Sequence, residues 1–372
     1  MGIDQTYNRR PRLDVEPFGA LEDGRAVELF TMTTLGGIQV RLTNYGGIVV
    51  GIRTPDREGN SDDVVLGFDH LEDYVRDTCY LGCLIGRFAN RIADARLMLG
   101  GQSFPLEKND GAHHLHGGPS GFHRVLWDAR PFTDDRGSGV ELVHRSKDGD
   151  GGYPGNLSVK VIYALTDAGE LVVDYAARSD RDTVVNLTQH SYFNLDGAVE
   201  GDILDHEIVL RARRFTPTDV TLIPTGEFRD VYGTPFDFAA PTRIGTRIDD
   251  VDEQLVAARG YDHNWILEGP PDVLRPVARA LSPSTGRTLE ISTTEPGLQF
   301  YTGNSLHADS IGRGGVRYGK RSGFCMEPQH FPDSPNKPQF PSTILRKGEL
   351  YHSTTVYRFS ALHGAADLKA GW

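Results

Sequence analysis

Apolar and polar residues alternate along many short segments of this chain. Every second residue from Leu157 to Tyr163 is apolar, and Leu171, Val173 and Tyr175 repeat the pattern after an Asp-Ala-Gly turn. A period of two predicts β-strands with one buried face, and the turn between these two segments predicts a hairpin. Similar segments recur at intervals of roughly 8–12 residues, which is typical of an antiparallel sandwich or barrel.

Glycines and prolines are spread along the whole chain and are not gathered in one linker. The 372 residues include 43 glycines and 21 prolines, a distribution that indicates many turns between short strands. Convincing helical patterns occur at residues 69–76 and 252–258. We therefore predict an all-β fold, a large antiparallel β-sandwich with few short helices. We expect a single domain over residues 26–363, an N-terminal arm over residues 1–25 and a C-terminal tail over residues 364–372.

The charge balance limits the kinds of partner. The formal net charge is −12, so the chain lacks the basic surface that binds nucleic acid, and an anionic membrane is an unfavourable partner. No apolar run approaches the roughly 20 residues that span a bilayer, and the N-terminus lacks an apolar signal core. Three cysteines in a chain of this length do not form a disulfide framework. We expect a cytoplasmic protein, a monomer or homodimer, with no nucleic-acid or membrane partner.

Two polar clusters contain candidate binding residues. Asn90 and Arg91 are adjacent, and they either lie in a solvated surface loop or hydrogen-bond to substrate hydroxyls. The other cluster holds His113, His114 and His116, of which the last two would share a face on a strand. No CxxC or HExxH spacing supports a metal site there, and we predict none. The glycine pair after His116 lets the backbone approach a ligand closely, which favours His116 as a functional residue.

Two further segments contain candidate proton-transfer residues. His190 follows a β-branched pair and has polar neighbours on both sides; a lone histidine of this kind is usually a core residue, but its neighbours are unusually polar for a core strand. Glu327 follows a short apolar run and precedes a proline-rich loop, so we expect it at a strand end, with an exposed loop carboxylate as the alternative. Together with His116 these residues supply two imidazoles and a carboxylate, a set suited to acid–base chemistry near neutral pH.

With these clusters and further motifs, the sequence resembles the aldose 1-epimerase (galactose mutarotase) family. The matching motifs are ordered along most of the chain between Asn44 and Asn336. They are Asn44-Tyr-Gly-Gly47, Asp63-Val-Val-Leu-Gly-Phe68, Gly86-Arg-Phe-Ala-Asn-Arg-Ile92, Leu115-His-Gly-Gly118, Gly152-Tyr-Pro-Gly155, residues 186–195, Leu222-Ile-Pro-Thr-Gly-Glu227, Tyr261-Asp-His-Asn264, Gln299-Phe-Tyr-Thr-Gly-Asn304 and the block around Glu327.

The resemblance implies an isomerase that interconverts the α and β anomers of free hexoses without a cofactor, on a large antiparallel β-sandwich. It implies that Glu327 is the general base, His190 the general acid that protonates the ring oxygen, and His116 a second histidine that polarises the reacting atoms. The family's sugar-contacting positions fall on four further residues: Asn90, Arg91, Asp262 and Gln299. Ordinary pKa values of roughly 4.3 for Glu and 6.5 for His suit the first two roles.

Alternatives remain open at the level of the sequence. One is an epimerase of phosphorylated hexoses, which would need additional cationic residues at the cleft rim. Another is a sugar-binding domain without catalysis, and a metal-dependent hydrolase is a more distant one. The chain also departs from the family pattern: His113 stands where many relatives have Asn, Asp150-Gly151 where an acidic pair is common, and Pro328 where Thr or Ser is frequent. We expect His113 and Pro328 to influence substrate preference.

Overall fold

Residues 12–362 are described by a computed structural model, apart from residues 136, 199–200 and 308–309. The first part of the arm expected over residues 1–25 and the tail expected over residues 364–372 lie outside the described residues. Within the described chain, neither α-helix is long and apolar enough to cross a membrane.

The N-terminal half consists mainly of strands. Its one α-helix, α1 (Leu71–Arg76), follows the first five strands. In chain order the strands are β1 (Arg12–Ala20), β2 (Ala26–Thr33), β3 (Gln39–Thr43), β4 (Val49–Pro55), β5 (Ser61–Asp63), β6 (Cys83–Ile85), β7 (Arg91–Ile92), β8 (Arg96–Leu99), β9 (Gln102–Pro105), β10 (His114–Leu115), β11 (Asp128–Asp134), β12 (Gly137–Ser146), β13 (Leu157–Thr166) and β14 (Glu170–Ser179).

The C-terminal half continues the same pattern. Its α-helix, α2 (Glu253–Ala258), is capped by the Asp252 carboxylate, which accepts from the backbone N–H of Gln254. The strands are β15 (Thr183–Val184), β16 (Thr188–His190), β17 (Glu207–Leu210), β18 (Ala212–Thr216), β19 (Arg229–Asp230), β20 (Thr242–Arg243), β21 (Asp262–Leu267), β22 (Arg275–Leu281), β23 (Arg287–Thr293), β24 (Gly297–Tyr301), β25 (Ser310–Ile311), β26 (Arg317–Tyr318), β27 (Cys325–Gln329), β28 (Ile344–Leu345) and β29 (Tyr351–Ala361).

Three large antiparallel sheets organise these strands. A nine-stranded sheet has the order β11-β12-β13-β14-β29-β23-β22-β17-β20, and two five-stranded sheets have the orders β1-β2-β3-β4-β5 and β19-β18-β21-β24-β27. Further short strands form separate two-stranded sheets, including β6 with β16 and β7 with β10. The apolar faces of all three sheets contribute to one buried core, and burial of these faces supplies the main stabilisation of the fold. The predicted all-β antiparallel fold is confirmed.

The local predictions agree with the structure where alternation was clear. The expected hairpin is formed by β13 and β14, with Leu157 paired to Ser179, and both predicted helical segments contain α-helix. One strand differs from the prediction: β1 (Arg12–Ala20) lies within the expected N-terminal arm. It pairs with β2 as an edge strand and is exposed along most of its length, so it carries no alternating pattern.

Candidate active site

One face of the β19-β18-β21-β24-β27 sheet is polar. The register places Gln299 on β24 opposite Asn264 on β21 and opposite Glu327 on β27. Since side chains alternate between the two faces of a strand, Asp262 lies on the same face as Asn264. The side chains of the other face pack in the hydrophobic core; they include Trp265, Leu298, Phe300 and Met326. The alternation of polar and apolar residues therefore aims a row of polar groups away from the core.

Glu327 lies in the middle of β27, so its predicted position at a strand end is wrong. Its side chain is 2% exposed, which also excludes an exposed loop carboxylate. The strand tolerates Pro328 because β27 is an edge of its sheet, where a missing N–H breaks no ladder bond. Among the described residues, Oε2 of Glu327 has no hydrogen-bond partner. A buried carboxyl oxygen without a partner is costly, so this group is placed for a ligand.

His190 faces Glu327 from the end of β16. Its Nε2 lies 3.7 Å from Oε1 of Glu327, and its Nδ1 lies 3.5 Å from Sγ of Cys325. The ring is buried, as a core histidine would be, yet it lines the same cavity as Glu327. The structure thus brings together two residues that are far apart in the sequence.

Burial changes the proton affinities of this pair. Burial lowers the pKa of His190 to about 4. Burial, together with the negative charge of Asp262, raises the pKa of Glu327 well above its usual range. The pKa of His190 therefore lies below, and the pKa of Glu327 above, the ordinary values that the sequence analysis used. Since burial disfavours both charges, the pair holds a single proton, with His190 neutral.

His116 is oriented by the backbone of Asn90. It follows β10 with a left-handed backbone, φ 53°, and its Nδ1 accepts a hydrogen bond from the N–H of Asn90 at 3.2 Å. Burial, followed by the nearby His190, lowers the pKa of His116 well below its usual range. A neutral His116 whose Nδ1 is an acceptor carries its proton on Nε2. His116 is therefore set up as a hydrogen-bond donor.

The three histidines of the His113–His116 cluster point to different places. His114 contacts the hydroxyl of Tyr153 through Nε2 at 2.6 Å, so it does not share a face with His116. His113 accepts a hydrogen bond from the backbone N–H of Asp94 at 3.0 Å. The left-handed backbone at His116 separates its side chain from the other two, and these three residues do not form a site.

A different trio could be considered for a metal ion. Ligand atoms of His116, His190 and Glu327 lie within 4.8 Å of one another. A histidine that binds a metal through one ring nitrogen usually donates a hydrogen bond from the other. In His116 the other nitrogen accepts from Asn90, so its free nitrogen carries a proton and lacks the lone pair that a metal needs. The donor set fits proton transfer better than metal binding.

Arg91 connects two carboxylates at the side of the cavity. Its Nε donates to Asp110 at 2.8 Å, and its Nη1 lies 3.7 Å from Oδ2 of Asp262. Burial raises the pKa of Asp262, and the Arg91 charge opposes this shift. Gln299 donates from Nε2 to Oδ1 of Asp262 at 2.7 Å, which fixes the orientation of the carboxylate.

The predicted residues surround one cavity of about 230 Å³. Six of the seven line it: Asn90, Arg91, His116, His190, Asp262 and Glu327. Gln299 is the exception, since it lies behind Asp262 and supports it. Asn90 is buried and Arg91 largely so, and a solvated surface loop is therefore excluded for this motif.

Other lining residues were not identified from the sequence. Tyr80 packs against the rings of His116 and His123 at 4.8 Å each, and Tyr192 and Tyr301 also line the cavity. Tyr301 could have been found, because it lies two residues after Gln299 and so on the same strand face. Tyr80 lies in a loop without periodicity, and no sequence signal marked it.

Comparisons with known proteins agree with this geometry. A profile of the aldose 1-epimerase family matches residues 28–358. The galactose mutarotase of Bos taurus is 44% identical over 344 residues, which cover 92% of this chain and 97% of that protein. The aldose 1-epimerase of Escherichia coli is 36% identical over 342 residues, which cover 91% of this chain and 97% of that protein.

Solved structures show the same fold. A galactose 1-epimerase from Lactobacillus acidophilus superposes with a TM-score of 0.83 and 28% identity, covering 95% of this chain and 100% of that one. An aldose epimerase homologue from Caenorhabditis elegans superposes with a TM-score of 0.82 and 28% identity, covering 91% of this chain and 100% of that one.

Proposed function

The chain belongs to the aldose 1-epimerase family, and we propose that Glu327, His190 and His116 carry out its reaction. It is an isomerase that interconverts the α and β anomers of aldoses. The proposed substrates are free hexoses such as D-galactose and D-glucose, with no cofactor. The observation that carries the proposal is the convergence of these three side chains on one cavity beside Arg91 and Asp262.

The reaction needs one proton removed and one supplied. In the opening step Glu327 takes the proton of the C1 hydroxyl, and the C1–O bond to the ring oxygen breaks as His190 protonates that oxygen. The product is the open-chain aldehyde, and rotation about C1–C2 presents its other face. The reverse transfers then close the ring to the other anomer. Positioned acid and base groups typically contribute ~10²–10⁴-fold each to a rate.

The single proton held by the pair suits this cycle. Before a sugar binds, burial favours the uncharged arrangement, with the proton on Glu327. A sugar hydroxyl that donates a hydrogen bond to Glu327 stabilises its charged form and lowers its pKa. The proton then shifts towards His190, which lies 3.7 Å away, and both groups acquire the protonation states that ring opening requires.

The remaining polar groups hold the sugar ring. Asp262 accepts from sugar hydroxyls, and Arg91 and Asn90 donate to them, while Gln299 keeps the Asp262 carboxylate in place. Nε2–H of His116 donates to an oxygen near the reacting carbon. Holding the ring against Glu327 and His190 replaces random encounters with one reactive orientation.

The alternative substrate, a phosphorylated hexose, has less support. Arg91 is the one Lys or Arg among the described residues that line the cavity, and two carboxylates already surround it. A phosphate there would meet two negative charges for one positive charge. A binding domain without catalysis is also disfavoured, because sugar binding alone does not require a buried carboxyl opposite a buried imidazole.

We further propose a cytoplasmic location, as a monomer or homodimer. All three cysteines are free thiols, which fits a reducing compartment.

Polarimetry tests the proposed function. Freshly dissolved α-D-galactose and α-D-glucose should reach anomeric equilibrium much faster with the protein than in buffer alone, and hexose 6-phosphates should be accelerated far less. Equilibration of both free sugars at the buffer rate would refute the proposal. Faster equilibration of the 6-phosphates than of the free sugars would favour the alternative substrate.

A further inference from the structure

The strands that carry the catalytic pair belong to different sheets. β16 pairs with β6, whereas β27 pairs with β24. Next to these strands, the two segments meet at an antiparallel bridge in which Phe193 and Phe324 exchange both backbone hydrogen bonds, at 2.7 and 2.9 Å. His190 precedes Phe193 by three residues and Glu327 follows Phe324 by three, so the register of this bridge places His190 opposite Glu327. The pair thus keeps the register of a ladder, although β16 and β27 are not paired as strands.

Pro328 explains why the ladder stops. The carbonyl of Pro328 faces β16, since it accepts from the hydroxyl of Thr188 at 2.8 Å. In an antiparallel strand the N–H and C=O of one residue point to the same side, so the missing N–H of proline is missing on the side of β16. The hydroxyl of Thr188 donates to the carbonyl of Pro328 in place of the facing backbone N–H that a continued ladder would supply.

Asn186 makes a second connection of the same kind. Its carboxamide is completely buried, and Oδ1 accepts from the N–H of His330 at 2.9 Å while Nδ2 donates to the C=O of His330 at 3.2 Å. The carboxamide thus forms both bonds to His330 that the N–H and C=O of one facing residue would form in an antiparallel ladder. Nδ2 also donates to the C=O of Ala89 at 3.2 Å, next to Asn90.

We propose that Thr188 and Asn186 are positioning residues that set the separation between His190 and Glu327. Their side chains span the gap where a backbone ladder would hold the strands closer together, and this leaves room between the imidazole and the carboxyl for proton transfer to a sugar. Neither residue lines the cavity, so each acts through the catalytic pair. This inference rests on the proposed function.

Thr188→Val provides the test, because valine has the shape of threonine without the hydroxyl. The loss of one bond lets β27 shift relative to β16. A misplacement on the order of 1 Å can cost about 100-fold in rate, so we expect kcat to fall about 10- to 100-fold. KM should change less than about twofold, since Arg91 and Asp262 keep their contacts. Thr188→Ser keeps the hydroxyl and should restore most of kcat.

Thr183→Val is the matched control. Thr183 is also completely buried, but its hydroxyl has no hydrogen-bond partner among the described residues, so its loss should leave kcat unchanged. Thr188→Ala removes the same hydroxyl and covers the case in which Thr188→Val folds poorly; circular dichroism would establish the folded fraction of each variant.

The possible results distinguish failure of the positioning role from failure of the proposed function. A fall in kcat at constant KM, restored by serine and absent in the control, supports the positioning role. Wild-type kcat in folded Thr188→Val or Thr188→Ala, or equal losses in Thr183→Val, would overturn it. If the wild-type protein itself fails to accelerate anomer exchange, the proposed function is refuted and this inference falls with it.

Discussion

His190 and Glu327 face each other across the boundary between two sheets, with Nε2 of the imidazole 3.7 Å from Oε1 of the carboxyl. Both side chains are almost fully buried. A charge on either group is penalised by burial, whereas one proton shared between them leaves the pair uncharged. This relationship connects the fold to the chemistry and determines how activity should depend on pH.

The activity should be lost on acidification through a pH of about 4. Burial lowers the pKa of His190 to about 4, so below that pH the pair binds a second proton and Glu327 no longer accepts the C1 proton. On the alkaline side, activity should persist above the usual range of a Glu carboxyl, because the pKa of Glu327 is raised. Initial polarimetric rates, corrected for the buffer and for the folded fraction, measure this profile. A rate that falls as the pH rises through 6.5 would show instead that His190 titrates as an exposed histidine.

Asp262→Asn should weaken sugar binding and also shift the alkaline limit. Hydrogen bonds to a charged group contribute about 1.5–3 kcal/mol, so kcat/KM should fall about 10- to 100-fold, mainly through KM. The negative charge of Asp262 contributes to the raised pKa of Glu327, so the alkaline limit should move to lower pH. Unchanged KM would show that Asp262 does not contact the sugar. Asp128→Asn, at an exposed position of β11 in the nine-stranded sheet, serves as a surface control.

The buried His263 should make stability depend on pH. Burial lowers its pKa from 6.5 to about 3, so between these values the unfolded chain binds more protons and acid favours unfolding. Its contribution is fully present above a pH of 6.5 and is lost as the pH falls towards 3. His263→Asn does not titrate. The stability difference between wild type and this variant should therefore shift in the variant's favour by about 1.4 kcal/mol per pH unit below 6.5.

Denaturant unfolding of both proteins between about pH 5 and pH 7 measures this shift. The comparison removes the contributions of all other titrating groups, since the two proteins share them. A stability difference that stays constant over this range would show that His263 keeps its ordinary pKa in the folded protein.

Chelators should leave the activity unchanged. The backbone N–H of Asn90 donates a hydrogen bond to Nδ1 of His116. The proton of the neutral ring is therefore on Nε2, which cannot act as a metal ligand. Activity measured after dialysis against EDTA should equal the activity of the untreated protein. A loss that added Zn²⁺ reverses would show that His116 adopts the other tautomer and binds metal with His190 and Glu327.

Much of the fold could be predicted from the sequence because alternation is a local signal. The hairpin of β13 and β14 buries every second residue, and the sequence carries the same period. The strand β1 was missed because an edge strand that is exposed on both faces has no such period. Glu327 was misplaced within its strand because a proline after it suggested an end, whereas an edge strand tolerates one.

The candidate site was predictable residue by residue but not as an arrangement. The resemblance named His116, His190 and Glu327, yet their separation depends on connections between distant segments, such as Thr188 to Pro328. The tautomer of His116 depends on the hydrogen bond that its Nδ1 accepts from the backbone of Asn90, a contact between segments that are 26 residues apart. The pKa values of the pair follow from burial, and burial is known only once the sheets are packed together.

The most direct test of a shared role for His190 and Glu327 compares Glu327→Gln, His190→Asn and the double variant by polarimetry on α-D-galactose. Each single variant should remain folded and lose about 100- to 10,000-fold in rate, the usual range for an acid or base group. Since the two groups share one proton and act as a unit, the double variant should lose little more than either single variant. Losses that multiply in the double variant, or a single variant with near-normal turnover, would contradict a shared role for His190 and Glu327.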